Sequence, residues 1–65
     1  MKHYYFIENN TGKEFLVGAK TLREAEIIAY DVGVEFANNY GELADVEFCY
    51  EMDEAEAENS DLDEY

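Results

Sequence analysis

Thr21-Leu22-Arg23-Glu24 opens the one segment whose conformation its own residues dictate most clearly. Thr21 is placed to cap the amide three residues on, and Glu24 to reach back to the Thr21 amide, as in a capping box. Beyond it Leu22, Ala25, Ile28, Ala29, Val32 and Phe36 recur at three- and four-residue steps. That is one apolar stripe of a helix, with Ile27, Tyr30 and Val34 on its flank. Glu24 and Glu26 suit the positive end of the helix dipole. Asn38-Asn39-Tyr40-Gly41 supplies the stop, with Gly41 as the C′ residue. Gly33 costs a helix interior about 1 kcal/mol relative to Ala, which points to close packing on a neighbouring element.

The segments on either side have the other periodicity. Residues 3–8 alternate, with Tyr4 and Phe6 pointing one way and Tyr5 and Ile7 the other. Asn9-Asn10-Thr11-Gly12-Lys13 is a turn cluster, and Glu14–Ala19 reads as a second strand, so residues 3–19 predict a β-hairpin. In residues 44–52 Val46, Phe48, Tyr50 and Met52 alternate with Asp45, Glu47, Cys49, Glu51 and Asp53. This predicts a half-buried strand with an acidic outer face. The fold class is therefore α+β, in the order ββαβ. A three-stranded, largely antiparallel sheet carries one helix on one face, and the other face is left partly open. Residues 1–52 form the single domain. Residues 53–65 form an acidic tail, either a short helix or disordered. The expected core is Tyr4 or Tyr5, Phe6, Ile7, Phe15, Val17, Leu22, Ile28, Val32, Phe36, Val46, Phe48 and Tyr50.

With 65 residues the core is thin, and such chains often rely on a disulfide, a metal or oligomerisation. The single cysteine, Cys49, permits no intrachain disulfide and no Cys-rich zinc site. Asp61-x-Asp63-Glu64 and Asp53-Glu54-x-Glu56 are rich in oxygen ligands, but neither fits an EF-hand loop. No metal and no cofactor is expected. Catalysis is not expected either. The only histidine, His3, lies near the start of the chain, and Cys49 sits among acids that raise a thiol pKa. The apolar run before Glu8 is too short for a signal-peptide core, and no segment reaches the length of a membrane span. A free cysteine fits a reducing interior. The expectation is a soluble cytoplasmic protein.

Charge narrows the function further. Lys plus Arg number 4 against 17 Asp plus Glu, a formal net charge of −13. That excludes a conventional nucleic-acid binder and an anionic membrane surface as partner. Lys2, Lys13, Lys20 and Arg23 against Glu8 and Glu14 leave the first 23 residues at +2, while the other 15 acids put residues 24–65 at −15. A composition of 48% hydrophobic and 15% aromatic residues separates the chain from disordered acidic segments. The net charge also exceeds the magnitude of about 2–8 that serves solubility in a small domain. On an alternating strand Asp45, Glu47, Glu51 and Asp53 fall on two-residue steps of about 6.8 Å, with Cys49 at the one step between Glu47 and Glu51, of the same order as one phosphate per about 3.4 Å of a DNA strand. Glu24, Asp31 and Glu35 form a second stripe on the helix. Among the six tyrosines, Tyr40 and Tyr65 flank the acidic elements and are the candidates for partner contact.

The acids from Glu24 to Glu64, on a small Pro-free α/β body, resemble the acidic DNA-mimic proteins of phages and mobile elements. These include inhibitors of restriction enzymes and several anti-CRISPR proteins. The resemblance is one of size, charge and layout over the whole chain, with no specific motif. It implies a non-catalytic inhibitor in the cytoplasm of a bacterial host, which evades host defence by blocking target DNA. Its partner would be a basic DNA-binding protein such as a CRISPR effector or restriction nuclease, met by a monomer or homodimer that binds no nucleic acid itself. The residues expected to pair with Arg and Lys of that partner are Asp45, Glu47, Glu51, Asp53, Glu54, Glu56 and Glu58, with Glu24, Asp31 and Glu35 on the helix. The alternative is a small adaptor or regulatory module that binds through an exposed aromatic sheet face or a strand edge. A third reading makes the acidity a device for solubility alone.

Overall fold

The computed structural model describes residues 1–65. Lys2–Glu8 form β1, Lys13–Ala19 β2, Leu22–Asn38 α1, Val46–Met52 β3 and Glu54–Glu58 α2. The strands make an antiparallel three-stranded sheet in the order β2-β1-β3. The α+β class and the single helix on one sheet face are as the periodicities require. The hairpin pairs Glu8 with Lys13 and Lys2 with Ala19, and the turn glycines Gly12 and Gly41 have φ of 71° and 70°.

The side of α1 that meets the sheet is built from small residues. Ala25, Ala29, Gly33 and Ala37 are buried together with Val32. The volume comes from the sheet, where Tyr4, Phe6, Phe15 and Val17 are buried against them, with Leu22, Phe36, Val46 and Phe48 around the rim. Phe6 stacks on Phe15 with ring centroids 5.9 Å apart and meets Phe48 edge-on at 5.6 Å. Aromatic rings standing on a strand need a flat surface above them, and a row of Ala and Gly provides one. Three members of the expected core lie elsewhere, for separate reasons of helix face, strand parity and the β3 bulge. Ile28 lies on the helix flank and is exposed, Ile7 is half-buried on the far side of the sheet, and Tyr50 is exposed.

Gly33 sets how closely α1 approaches. A Cβ there would overlap Val46 Cγ2 and come within 3.6 Å of Glu8 Cγ. The close packing that Gly33 pointed to is present.

β3 departs from simple alternation. Tyr5 pairs with Tyr50, but Phe6 pairs with Phe48, so Cys49 is the extra residue of a β-bulge. The bulge reverses which way the following side chains point. Glu47 pairs with Ile7 and Glu51 with Tyr4, and Ile7 and Tyr4 face opposite sides of β1. Glu47 and Glu51 thus lie on opposite faces of the sheet, which overturns the expected single acidic row along β3. The bulge puts Val46 and Phe48 under α1 and turns Tyr50 and Met52 to the other face, so both faces receive apolar cover.

The far face is partly open, with Tyr50 47% exposed on it, and partly covered. By register Leu16 and Met52 lie on it, opposite Tyr5 and His3, yet both are buried. Residues 53–65 cover them. Asp53 caps α2, with Glu56 N donating to Asp53 Oδ1 at 2.8 Å and Asp53 N donating to Glu56 Oε1 at 3.4 Å. At α1 only the Thr21 half of the arrangement forms, with Glu24 N donating to Thr21 Oγ1 at 3.2 Å. The complete capping box therefore sits in the acidic segment. The chain then reaches the outer edge of β2, where Leu16 N donates to Asp63 O at 2.9 Å and Tyr65 N to Leu16 O at 2.8 Å. Glu64 bridges in parallel to Leu16, and its carboxylate meets His3 Nδ1.

Replacing Gly33 by Ala in an exposed helix would stabilise it by about 1 kcal/mol. Here the overlap with Val46 should win, and Gly33→Ala should lower unfolding stability by about 1–3 kcal/mol, as overpacking does. Urea unfolding measures it, and a more stable variant would contradict the packing described.

Candidate functional site

Of the 17 acids, only Glu8 is buried; all the others are exposed. The one basic side chain within ion-pair distance of a carboxylate is His3, against Glu64. Lys2, Lys13, Lys20 and Arg23 neutralise none of them. The surface is thus a field of uncompensated carboxylates on ordered elements.

Those carboxylates fall into two groups. Asp53 and Glu56 are committed to capping α2, and Glu47 accepts a hydrogen bond from Asn9 Nδ2 at 3.2 Å. Glu24, Asp31 and Glu35 on α1, Glu51 on β3, and Glu54 and Glu58 on α2 are exposed with no side-chain partner inside the chain. Asp45 is exposed at the entry to β3, where its carbonyl accepts from Asn9 N at 2.8 Å. Tyr40 is 67% exposed just past the end of α1. Tyr65 is an anchor instead. Its ring meets Phe15 and Phe36 edge-on at 5.9 and 6.3 Å. Its polar backbone is held by β2, leaving less than half of the residue exposed.

Glu8 holds the strand that carries this surface in place. It lies on the same side of β1 as Tyr4 and Phe6 and is fully buried. Burial works to raise its pKa, as for any carboxylate taken out of water. Backbone amides of Asp45, Thr11 and Asn10 and the Thr11 hydroxyl outweigh that effect, and the carboxyl is held below its usual range. Asp45 N donates to Oε2 at 2.7 Å, and Thr11 N and Oγ1 donate to Oε1 at 2.8 and 2.9 Å. One carboxylate thereby joins the hairpin turn to the start of β3. A sequence signal for it exists: Glu8 has the parity of Tyr4 and Phe6 and stands beside a turn that holds Thr11.

Two other groups, Tyr5 and Cys49, are shifted upward. Tyr5 donates its hydroxyl to the Glu14 carboxylate, and that bond, with burial and the nearby negative charge, pushes its pKa up to about 12. Burial raises the Cys49 thiol, with Glu47 and Glu14 adding to the effect. Cys49 is free and exposed at the bulge, and its thiolate is suppressed. The one concavity is a shallow one on the outer side of α1, lined by Arg23, Glu26, Ile27, Tyr30 and Asp31. No three His, Cys, Asp or Glu side chains converge as metal ligands, and no helix is long and apolar enough to cross a membrane.

No protein-family model matches this chain, nor does any curated protein or solved structure.

Glu8→Gln keeps the shape but removes the charge that its amide donors stabilise. It should cost about 1.5–3 kcal/mol at neutral pH, the range for hydrogen bonds to a charged group. Because the folded-state pKa lies below the unfolded value near 4.3, the contribution is complete above that value. It is lost as pH falls through the folded one. The deficit of the variant in urea unfolding should therefore shrink steadily on acidification below about pH 4. A deficit that stays constant with pH would contradict the assignment.

Proposed function

We propose that this protein is a non-catalytic inhibitor that mimics nucleic acid and occupies the basic DNA-binding surface of a bacterial defence nuclease or CRISPR effector. The observation that carries the proposal is the set of exposed carboxylates held on folded elements without a single Lys or Arg partner. Unpaired like charges destabilise a small domain, and a partner rich in Arg and Lys would relieve that repulsion. The magnitudes agree with a duplex. The molecule is 35 Å in its longest dimension, close to the roughly 34 Å of one DNA turn. A net charge of −13 over 35 Å is one negative charge per about 2.7 Å, against one per about 1.7 Å of duplex axis.

Glu24, Asp31, Glu35, Asp45, Glu51, Glu54 and Glu58 are the contact residues in this reading, with Glu47 and Tyr40 beside them. Asp53, Glu56 and Tyr65 support the surface. Each carboxylate would accept a charge-assisted, often bidentate, bond from an Arg that otherwise grips phosphate. Encounter is steered at low salt and slowed as salt rises. The setting is the cytoplasm of a bacterial cell, and the gene is one carried by a phage or mobile element.

The adaptor reading retains one support, the outer edge of β3, which has no neighbouring strand. It depends on backbone pairing and on Tyr50, and carboxylates play no part in it. Capture of a panel of purified CRISPR effectors and restriction nucleases separates the two. Mimicry predicts binding that is lost on adding duplex DNA or salt of about 0.5 M. It also predicts at least about ten-fold weakening for the triple variant Glu24→Gln, Asp31→Asn, Glu35→Gln. Binding that ignores salt, DNA and these substitutions would sink the mimicry proposal and favour the adaptor.

A further inference from the structure

The sheet-facing side of α1 accounts for Ala25, Ala29, Val32, Gly33 and Ala37. It does not account for Ile27 and Tyr30, which are 63% and 58% exposed on the opposite side of the same helix. These two line the shallow concavity together with Arg23, Glu26 and Asp31. Arg23 is the only arginine in the chain and pairs with no carboxylate. Ile27 and Tyr30 thus form a small apolar patch, framed by charges, on the solvent side of the helix.

We infer that this outer face of α1 is a self-association surface, on which a second copy of the chain docks antiparallel across a twofold axis at Ile27. The charges select this occupant. Ile27 is midway in sequence between Arg23 and Asp31, which lie about 12 Å apart along the helix at 1.5 Å per residue. A twofold axis normal to the helix at Ile27 places Arg23 of each copy opposite Asp31 of the other. Ile27 then meets its own symmetry mate, and the Tyr30 rings close over the contact from both sides. The surface is self-complementary, as an isologous interface requires. A partner that is merely apolar would leave Arg23 and Asp31 unpaired. Two chains of charge −13 repel at long range, but at physiological salt the screening length is about 8 Å. The cross-axis Arg–Asp contacts act inside that distance. The contact is a single pair of helix faces, below the standard interface size, so the dimer is weak and concentration-dependent.

Sedimentation equilibrium from about 10 μM to about 1 mM at physiological salt tests it, and needs no other protein. The wild-type chain should pass from monomer to dimer over this range. Arg23→Asp alone and Asp31→Arg alone should each weaken self-association at least about ten-fold, because each creates like-charge contacts across the axis. Mixed one to one, the same two variants should associate again, since every cross-axis contact is then of opposite sign and the total charge equals that of two wild-type chains. Ile27→Glu should be monomeric throughout. All three positions are exposed and circular dichroism should show an unchanged fold. A wild-type chain that stays monomeric at the top of the range would overturn the inference. So would a dimer indifferent to these variants, or a mixture that fails to associate.

Discussion

The buried carboxylate of Glu8 is the interaction on which the rest of the structure depends. Placing a charge in the core of a 65-residue chain is costly, and here the cost is offset by donors from two separate loops. Thr11 belongs to the hairpin turn and Asp45 to the approach to β3. The hairpin turn has no large apolar side chain, and those of the other loop, Tyr40 and Leu43, are exposed and anchor nothing. Glu8 orders both at once, and Asn9 N bonded to Asp45 O at 2.8 Å completes the clamp. Gly33 is part of the same arrangement, because α1 can lie over Glu8 and Val46 only where the helix has no side chain. A strongly acidic protein thus uses one of its acids as a core residue, and the position of its outer strand follows from that choice.

The bulge at Cys49 then decides how the remaining acids are displayed. Unbroken alternation would give β3 one apolar and one acidic face, and would leave Leu16 without cover on the far side of the sheet. With the bulge, Met52 joins Leu16 there, and the segment from Asp53 onward closes over both. Glu47 and Glu51 are separated onto opposite faces as a consequence. The acidic surface is therefore a shell around a flat body with extents of 35 × 23 × 15 Å, and not a single row along one strand. Residues 53–65 are part of the fold: Asp53 and Glu56 cap a helix, and Tyr65 packs on Phe15 and Phe36. Removing them would uncover Leu16 and Met52, so a truncation there measures stability as much as function.

Wherever one local period governed a segment, the sequence was readable. The hairpin from Lys2 to Ala19, the Thr21 cap and the span of α1 all follow from alternation, turn residues and three- to four-residue spacing. What was not readable depended on partners far apart in the chain. Ile28 and Phe36 have similar claims on the core by hydrophobicity, and only the aromatic sheet beneath decides that Ala25, Ala29 and Ala37 belong there. Nothing in Val46–Met52 marks Cys49 as the extra residue, because the bulge is set by the pairing with Tyr5 and Phe6. The segment after Met52 reads as an acidic tail, a short helix or disordered; the short helix is present as Glu54–Glu58, while charge hides its capping box and its closing contacts. On the surface, Glu24, Asp31 and Glu35 are exposed along α1 as their spacing requires, whereas Tyr65 and the Asp53–Glu56 pair have structural work that composition does not reveal.

Acidity, shape and function meet in one claim, that the exposed carboxylates stand in for phosphates. The most direct measurement is steady-state competition between this protein and duplex DNA for a sensitive nuclease or effector, repeated over a range of salt concentrations. The account predicts purely competitive inhibition, with the inhibition constant weakening linearly on a log–log plot against salt as the affinity for DNA does. Inhibition that persists at saturating DNA, or an inhibition constant independent of salt, would contradict it.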